Sequence, residues 1–364
     1  MKKSILYHII IIYSLFYVDL NAQTNNNIST SRENAITKTV EVMSSAVVGI
    51  NVTEVREYSN PFMVDDPFFR QFFGNPRYRQ EVKGLGSGVI ISEDGYIVTN
   101  DHVAGNAKEI TVSLSNGEKY KAKLIGSDKL SDVALLKISG TKLPFANLGN
   151  SENVIIGEWV IAFGNPFGLF ENIDKPIVTV GVVSAKGMNF SIEDRNYRGM
   201  IQTDAVINSG NSGGPLVNGV GEVIGINTLI YTGGVSNAYI GYGFAIPVNK
   251  VKRIIDELKS TGKVIHSYWT GLEINNVDAR IARYFGLTKS EGVIISDVEQ
   301  NSPGSKSELQ VGDIITYVNN EKISDLNSII GIFRDTRIGE VVTLTIYRDK
   351  KTLKIPLTIE KPKS

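Results

Sequence analysis

Between residues 45 and 248 one pattern recurs: a short run rich in Val, Ile and Thr, stopped by Gly, Asn, Asp or Pro. GSGVIIS, YIVTN, ITVSLS, YKAKLIG, VALLKI, EWVIAFG, VTVGVVSA, GEVIGINTLI and YGFAIP follow one another. Stiff β-branched side chains fit a pleated, half-buried surface. Strands of this kind at regular spacing mark an all-β barrel or sandwich. The stretch holds more strands than one small barrel needs, so two packed barrels are expected. The first helical period is NKVKRIIDELKSTGK (249–263), with Val251, Ile254, Ile255 and Leu258 on one face and Gly262 as a stop. It closes the β unit and leads to a linker.

A second domain begins near Trp269. It holds EGVIISDV, GDIITYV and a helix with Leu326, Ile329, Ile330 and Phe333 on one face. A final strand pair alternates, with Val342, Leu344 and Ile346 in one strand and Leu353, Ile355, Leu357 and Ile359 in the other. The expected fold class is therefore mainly β. The expected boundaries are 1–22, 23–263 and 264–364.

The first 22 residues differ from the rest. Lys2 and Lys3 precede the apolar run ILYHIIIIYSLFYV, and Ala22 supplies a small residue for cleavage. That is the pattern of a secretory signal peptide. The apolar run is shorter than the ~20 residues that span a bilayer. Membrane attachment is expected only if the segment stays uncleaved. Residues 23–34 are polar. Residues 54–83 interrupt the β pattern with the aromatic, Pro-containing insert YSNPFMVDDPFFRQFFGNPRYRQ (58–80), which reads as a functional or interaction loop.

Composition removes several classes. Lys plus Arg number 38 and Asp plus Glu 38, so no global charge favours nucleic acid. There are no cysteines, hence no disulfide, thiolate metal site or cysteine nucleophile. No HExxH, P-loop or dinucleotide fingerprint appears, so neither a cofactor nor a metal is expected.

One stretch carries chemistry: DAVINSGNSGGPLVNG (204–219), with Ser212 among glycines. A serine hydroxyl is a weak nucleophile and needs a base that is itself held by an acid. The chain has three histidines. His8 lies in the leader and His266 in the linker, which leaves His102 in YIVTNDHVAG. Asp132, in SDVALLKI, enters a buried strand and is the preferred acid. Asp128 is the alternative, and Asp101 is a poor orienter because adjacent side chains diverge. GNSGG also fits the G-x-S-x-G nucleophile elbow, but that motif needs a following helix and a later His. Here a strand-like PLVNGVGEVIGINT follows. In a serine protease with the order His102, Asp132, Ser212, the N–H groups of Ser212 and Gly210, with Asn211 nearby, form the oxyanion hole.

With these residues in view, the chain resembles the HtrA (Deg, protease Do-like) family of serine proteases. The resemblance rests on GSGVIISEDGYIVTNDHV, SDVALLKI, GEWVIAFGNPFGL, VTVGVVSAKG, IQTDAVINSGNSGGPLVN and GYGFAIPVNKV. It implies a chymotrypsin-like double β-barrel protease domain followed by one PDZ domain. WTGLEI (269–274) looks like the PDZ carboxylate-binding loop, with Thr270, Gly271 and Leu272 meeting a peptide terminus. Leu272, Ile274, Ile329, Ile330 and Phe333 would line its pocket. Four positions depart from the pattern. Ser209 stands where the family often has Pro, Asp101 where it commonly has Asn, and Glu308 where it has Gly. Asn211 stands where trypsin relatives carry an Asp, so activation by a cleaved N-terminus is not expected. In the family, loop order sets activity, which here involves 165–176, 188–199 and 228–240.

The resemblance implies an ATP-independent periplasmic endopeptidase of unfolded or misfolded proteins. It also implies a homotrimer, with aromatic residues of 61–73 as contacts, and binding of peptides with apolar C-termini. Two alternatives are a regulatory protease cutting one membrane-protein partner on peptide sensing, and a non-catalytic PDZ chaperone or scaffold.

Overall fold

The computed structural model describes residues 32–59, 77–165, 175–192, 194–208, 210–230 and 241–362. The expected signal peptide, the aromatic contacts of 61–73 and the substitution Ser209 lie outside these residues. So do 166–174, 193 and 231–240 of the three loops named above. The chain divides into two compact units after Val264.

The first unit opens with helix α1 (Ala35–Met43), absent from the sequence reading. Asn34 caps it by accepting the Thr37 N–H, and Thr39 and Met43 are its buried residues. Strand β1 (Val47–Ser59) then pairs with β2 (Arg77–Ile90) along its whole length. Both strands therefore run into the stretch read as an insert, with Glu54 opposite Val82.

Strands β3 (Tyr96–Thr99), β4 (Glu109–Leu114), β5 (Lys119–Asp128) and β6 (Val133–Ile138) complete a closed barrel in the order β1-β2-β3-β6-β5-β4. The second barrel uses β7 (Trp159–Gly164), β8 (Ile177–Ile192), β9 (Arg195–Thr203), β10 (Pro215–Asn218), β11 (Val223–Ile230) and β12 (Gly243–Pro247). It closes as β10-β11-β12-β9-β8-β7. Between β3 and β4 lies the short helix α2 (Asp101–Ala104), and after β12 comes α3 (Val248–Thr261).

Burial on two faces explains why these strands read as continuous apolar runs. Val48, Ile90, Ile97 and Leu136 fill the first barrel. Their chain neighbours Val47, Val89, Val98 and Leu135 join a different core with Ile161, Phe163, Val217 and Ile226 of the second barrel. Successive side chains of a strand point to opposite faces, so each strand serves a barrel interior and the layer between barrels. Helix α3 adds Val248, Val251, Ile254, Ile255 and Leu258 to that shared layer. Each such side chain contributes about 1.5–3 kcal/mol when fully buried. Gly262, in the left-handed conformation at φ 73°, stops the helix where expected.

The second unit is a six-stranded sheet. It comprises β13 (Leu272–Asn276), β14 (Val293–Val298), β15 (Ile314–Val318), β16 (Glu321–Lys322), β17 (Val341–Arg348) and β18 (Lys351–Thr358). The order is β13-β14-β15-β17-β18, with β16 beside β15, so β13 is an edge strand. Helices α4 (Ala279–Phe285), α5 (Pro303–Lys306) and α6 (Leu326–Asp335) accompany it, and sequence reading found only the last. Ile329, Ile332 and Phe333 of α6 enter the core with Ile295, Ile315, Leu344 and Leu357. Ile330 is half-buried and outside that core. Glu308 sits at φ 58°. That left-handed conformation suits Gly better than an L-residue such as Glu.

Candidate active site

Pairing of β3 with β6 places Thr99 opposite Ala134. This register sets the start of α2, which bears His102, beside the turn that ends at Asp132. Asp132 adopts φ 60°, a conformation costing an L-residue about 1–2 kcal/mol. The Asn100 side chain holds the turn by donating to the Asp132 carbonyl at 2.9 Å.

The Asp132 carboxylate is fully buried and collects five donors. His102 Nδ1 lies 3.0 and 2.9 Å from its two oxygens, and the His102 N–H donates to Oδ1 at 3.0 Å. The Thr228 hydroxyl donates to Oδ2 at 2.5 Å, and the Tyr197 hydroxyl to the same oxygen at 3.1 Å. Arg195 Nε reaches Oδ1 at 3.2 Å. Burial by itself raises a carboxyl pKa, but donors from His102 and Thr228 outweigh it and hold Asp132 below its ordinary value. Burial, then the charge of Asp132, raises the Tyr197 phenol, so it stays protonated and donates. Asp128, the alternative acid, instead accepts the Leu130 N–H at 3.1 Å. Asp101 pairs with Arg195 Nη2 at 3.2 Å.

Ser212 comes from the other barrel, on the loop before β10. Ser87 of β2 fastens that loop. Its N–H donates to the Ser212 carbonyl at 2.9 Å, and its hydroxyl donates to the Gly210 carbonyl. The Ser87 oxygen in turn accepts the Asn165 N–H at 2.7 Å. Gly213 lies at φ 84°, and a Cβ there would overlap the Ser87 carbonyl and the Thr99 hydroxyl. Only Gly fits.

Two contacts define the nucleophile loop further. The Ser212 hydroxyl donates to the Thr228 carbonyl at 2.9 Å, and among the described residues no hydrogen bond joins it to His102. A hydroxyl has one proton, and here the carbonyl takes it. Thr228 therefore links the two, accepting from Ser212 and donating to Asp132. One expected oxyanion donor needs correction: the Asn211 N–H is consumed by the Asn208 carbonyl at 3.0 Å. Of the three expected oxyanion donors, Gly210 and Ser212 keep N–H groups with no partner among the described residues. The Asn211 side chain is buried and donates to the Val206 carbonyl at 3.3 Å.

Sequence reasoning missed Ser87, Asn100, Arg195, Tyr197 and Thr228. The one local signal was RNYR (195–198), a charged and aromatic run whose last three residues are buried. Ser87 and Thr228 carry no local signal, because their partners are distant in sequence.

In the second unit the backbone around Thr270 and Gly271 forms a tight loop ahead of β13. Gly271 lies at φ 67°, where a Cβ would overlap Ser302. The Gly304 N–H donates to the Thr270 carbonyl and the Glu299 N–H to the Gly271 carbonyl, both at 2.8 Å. The Leu272 N–H reaches the Thr270 hydroxyl at 3.3 Å. Leu272 and Ile274 are half-buried against the core behind the free edge.

Comparison with known proteins gives consistent neighbours. Residues 86–226 match the trypsin-like peptidase domain family, and residues 270–359 match the PDZ domain family. A probable periplasmic serine endoprotease, DegP-like, of Chlamydia trachomatis is 43% identical over 307 residues, which is 82% of this chain and 60% of that protein. Its namesake in Pseudomonas fluorescens is 42% identical over 343 residues, 89% of this chain and 69% of that protein. The chain thus spans about three fifths to two thirds of the length of these relatives. The solved HtrA-type protease AlgW with decapeptide is 33% identical at a TM-score of 0.64, covering 90% of this chain and 98% of that one.

Proposed function

The chain belongs to the DegP-like, HtrA-type family of serine endoproteases, and from that premise we propose that it is a periplasmic endopeptidase acting on unfolded or misfolded proteins. The observation that carries this reading is the His102–Asp132 pair, joined through Thr228 to Ser212 on a loop fastened by Ser87.

In the proposed reaction, Ser212 Oγ leaves the Thr228 carbonyl by side-chain rotation and turns to His102 Nε2. His102 takes the hydroxyl proton as Oγ bonds to the substrate carbonyl carbon. The resulting oxyanion accepts from the Gly210 and Ser212 N–H groups, each such donor contributing roughly 10²–10³ in rate. Ionised Asp132 fixes the Nδ1–H tautomer and stabilises the imidazolium. His102 then protonates the leaving amine as the C–N bond breaks, giving an acyl-enzyme on Ser212. Water, deprotonated by His102, attacks the ester and frees Ser212.

The free edge of β13 and the Gly271 loop support a peptide-binding role for the second unit. A peptide adding as a strand would place its terminal carboxylate at the loop. Because the Ser212 hydroxyl faces the Thr228 carbonyl, a second reading is that such a peptide switches the enzyme on. Incubation with unfolded casein separates the readings. Cleavage by the full chain that is lost in Ser212→Ala supports the endopeptidase. Cleavage that requires an added peptide with an apolar C-terminus supports the switched form. No cleavage under either condition would sink both.

A further inference from the structure

Arg195 lies between two buried carboxylates. Its Nε is 3.2 Å from Asp132 Oδ1, and its Nη2 is 3.2 Å from Asp101 Oδ2. The guanidinium side chain is 17% exposed, Asp101 8% and Asp132 0%. The residue is held from both sides in sequence. The Asn196 N–H donates to the Leu130 carbonyl at 2.7 Å, and Lys129 pairs with Asp194 at 2.9 Å. The start of β9 is thereby fastened to the turn that presents Asp132.

A cation this close to Asp132 has a cost for catalysis. It would offset the negative charge that an imidazolium on His102 needs. Asp101 restores the balance, because the Asp101–Arg195 pair is neutral as a unit. Among the described residues, the other charged or titratable groups that meet this assembly come from two further elements: Asp132 from the turn before β6, and Arg195 and Tyr197 from β9. Lys129 and Asp194 pair with each other at the exposed surface. Ser212 and Thr228, from the second barrel, are neutral.

We propose that Asp101 and Arg195 form one positioning pair: Arg195 clamps the Asp132 carboxylate toward His102, and Asp101 cancels the charge that the clamp brings. The inference rests on the endopeptidase reading of the same site. A neutral Asn at position 101 would leave the Arg195 charge unbalanced beside Asp132.

The test is the pH dependence of inactivation of the full chain by a fluorophosphonate, a probe that reacts with an activated serine. The rate rises through an acidic limb as His102 becomes able to accept a proton. Asp101→Asn keeps the side-chain shape and deletes a negative charge, so its limb moves to lower pH by about half to one unit. Arg195→Met deletes a positive charge, and its limb moves to higher pH by a similar amount. The double variant returns close to the wild-type limb. Arg195→Lys keeps the charge and loses the fork, so its limb stays in place while the plateau rate falls several-fold. A purely structural role would lower plateaus without moving limbs in opposite directions. Limbs that stay put in both single variants, or move together, overturn the proposal. Should Arg195→Met not fold, an unmoved limb in Asp101→Asn overturns it alone. Absence of inactivation in the wild type, both without and with an added peptide ending in an apolar residue, would instead remove the endopeptidase reading, and the inference with it.

Discussion

Asp132 combines a strained backbone, full burial and five donors, and removing its charge has two separable consequences. Asp132→Asn places an amide where His102, Thr228, Tyr197 and Arg195 all donate, so the His102 tautomer is no longer fixed. Proteolytic turnover is expected to fall by at least about 10³-fold. Stability is expected to fall by about 2–4 kcal/mol at pH 7, because buried donors lose their acceptor. The pH dependence has a definite sign. The folded-state pKa of Asp132 is lowered, so its contribution is present above the unfolded value of about 3.9. It is lost as pH falls through the folded value below that. Urea unfolding of wild type and variant should therefore differ most at neutral pH and converge in strong acid. A difference independent of pH would argue that the carboxylate charge contributes nothing. At this scale the three principal residues were legible because histidine is so scarce that only one choice of base remained. Arg195, Tyr197 and Thr228 were not, since each meets Asp132 from more than 60 residues away.

At the scale of elements, the nucleophile loop is ordered less by its own turn than by β2. Ser87 donates to two carbonyls of the loop and accepts from Asn165, so it ties both barrels to the segment 210–212. Ser87→Ala removes the hydroxyl and leaves the Gly210 carbonyl and the Asn165 N–H without that partner. The expected result is a loss of about 1–3 kcal/mol in stability and a fall in turnover of tenfold or more, with little change in KM. Steady-state kinetics and urea titration measure both, and an unchanged turnover would separate loop order from Ser87. The strands themselves were legible, from their β-branched runs and turn residues. Which face each residue serves was not, because neighbours such as Val47 and Val48 are both buried but in different cores. Helix α1 escaped notice because nine residues with two buried side chains give too short a period.

For the whole molecule, each compact unit presents its own chemistry: a serine site at the meeting of two barrels, and a sheet edge headed by a Gly loop. No described helix is long and apolar enough to cross a membrane. Peptide binding tests the second unit on the full chain carrying Ser212→Ala, which cannot consume its ligand. A peptide with an apolar last residue and a free carboxylate should bind at least tenfold more tightly than its amidated form, a difference of about 1.4 kcal/mol. Equal affinities by calorimetry would rule out carboxylate capture at Gly271. The central claim is narrower and belongs to the first unit: that one hydroxyl among the many serines of this chain is activated, and that His102 activates it. Fluorophosphonate treatment at neutral pH, followed by mass mapping of the adduct, addresses it most directly. A single adduct on Ser212, absent from His102→Ala, is the predicted result. An adduct on another serine, or labelling of Ser212 that is undiminished in His102→Ala, would contradict it.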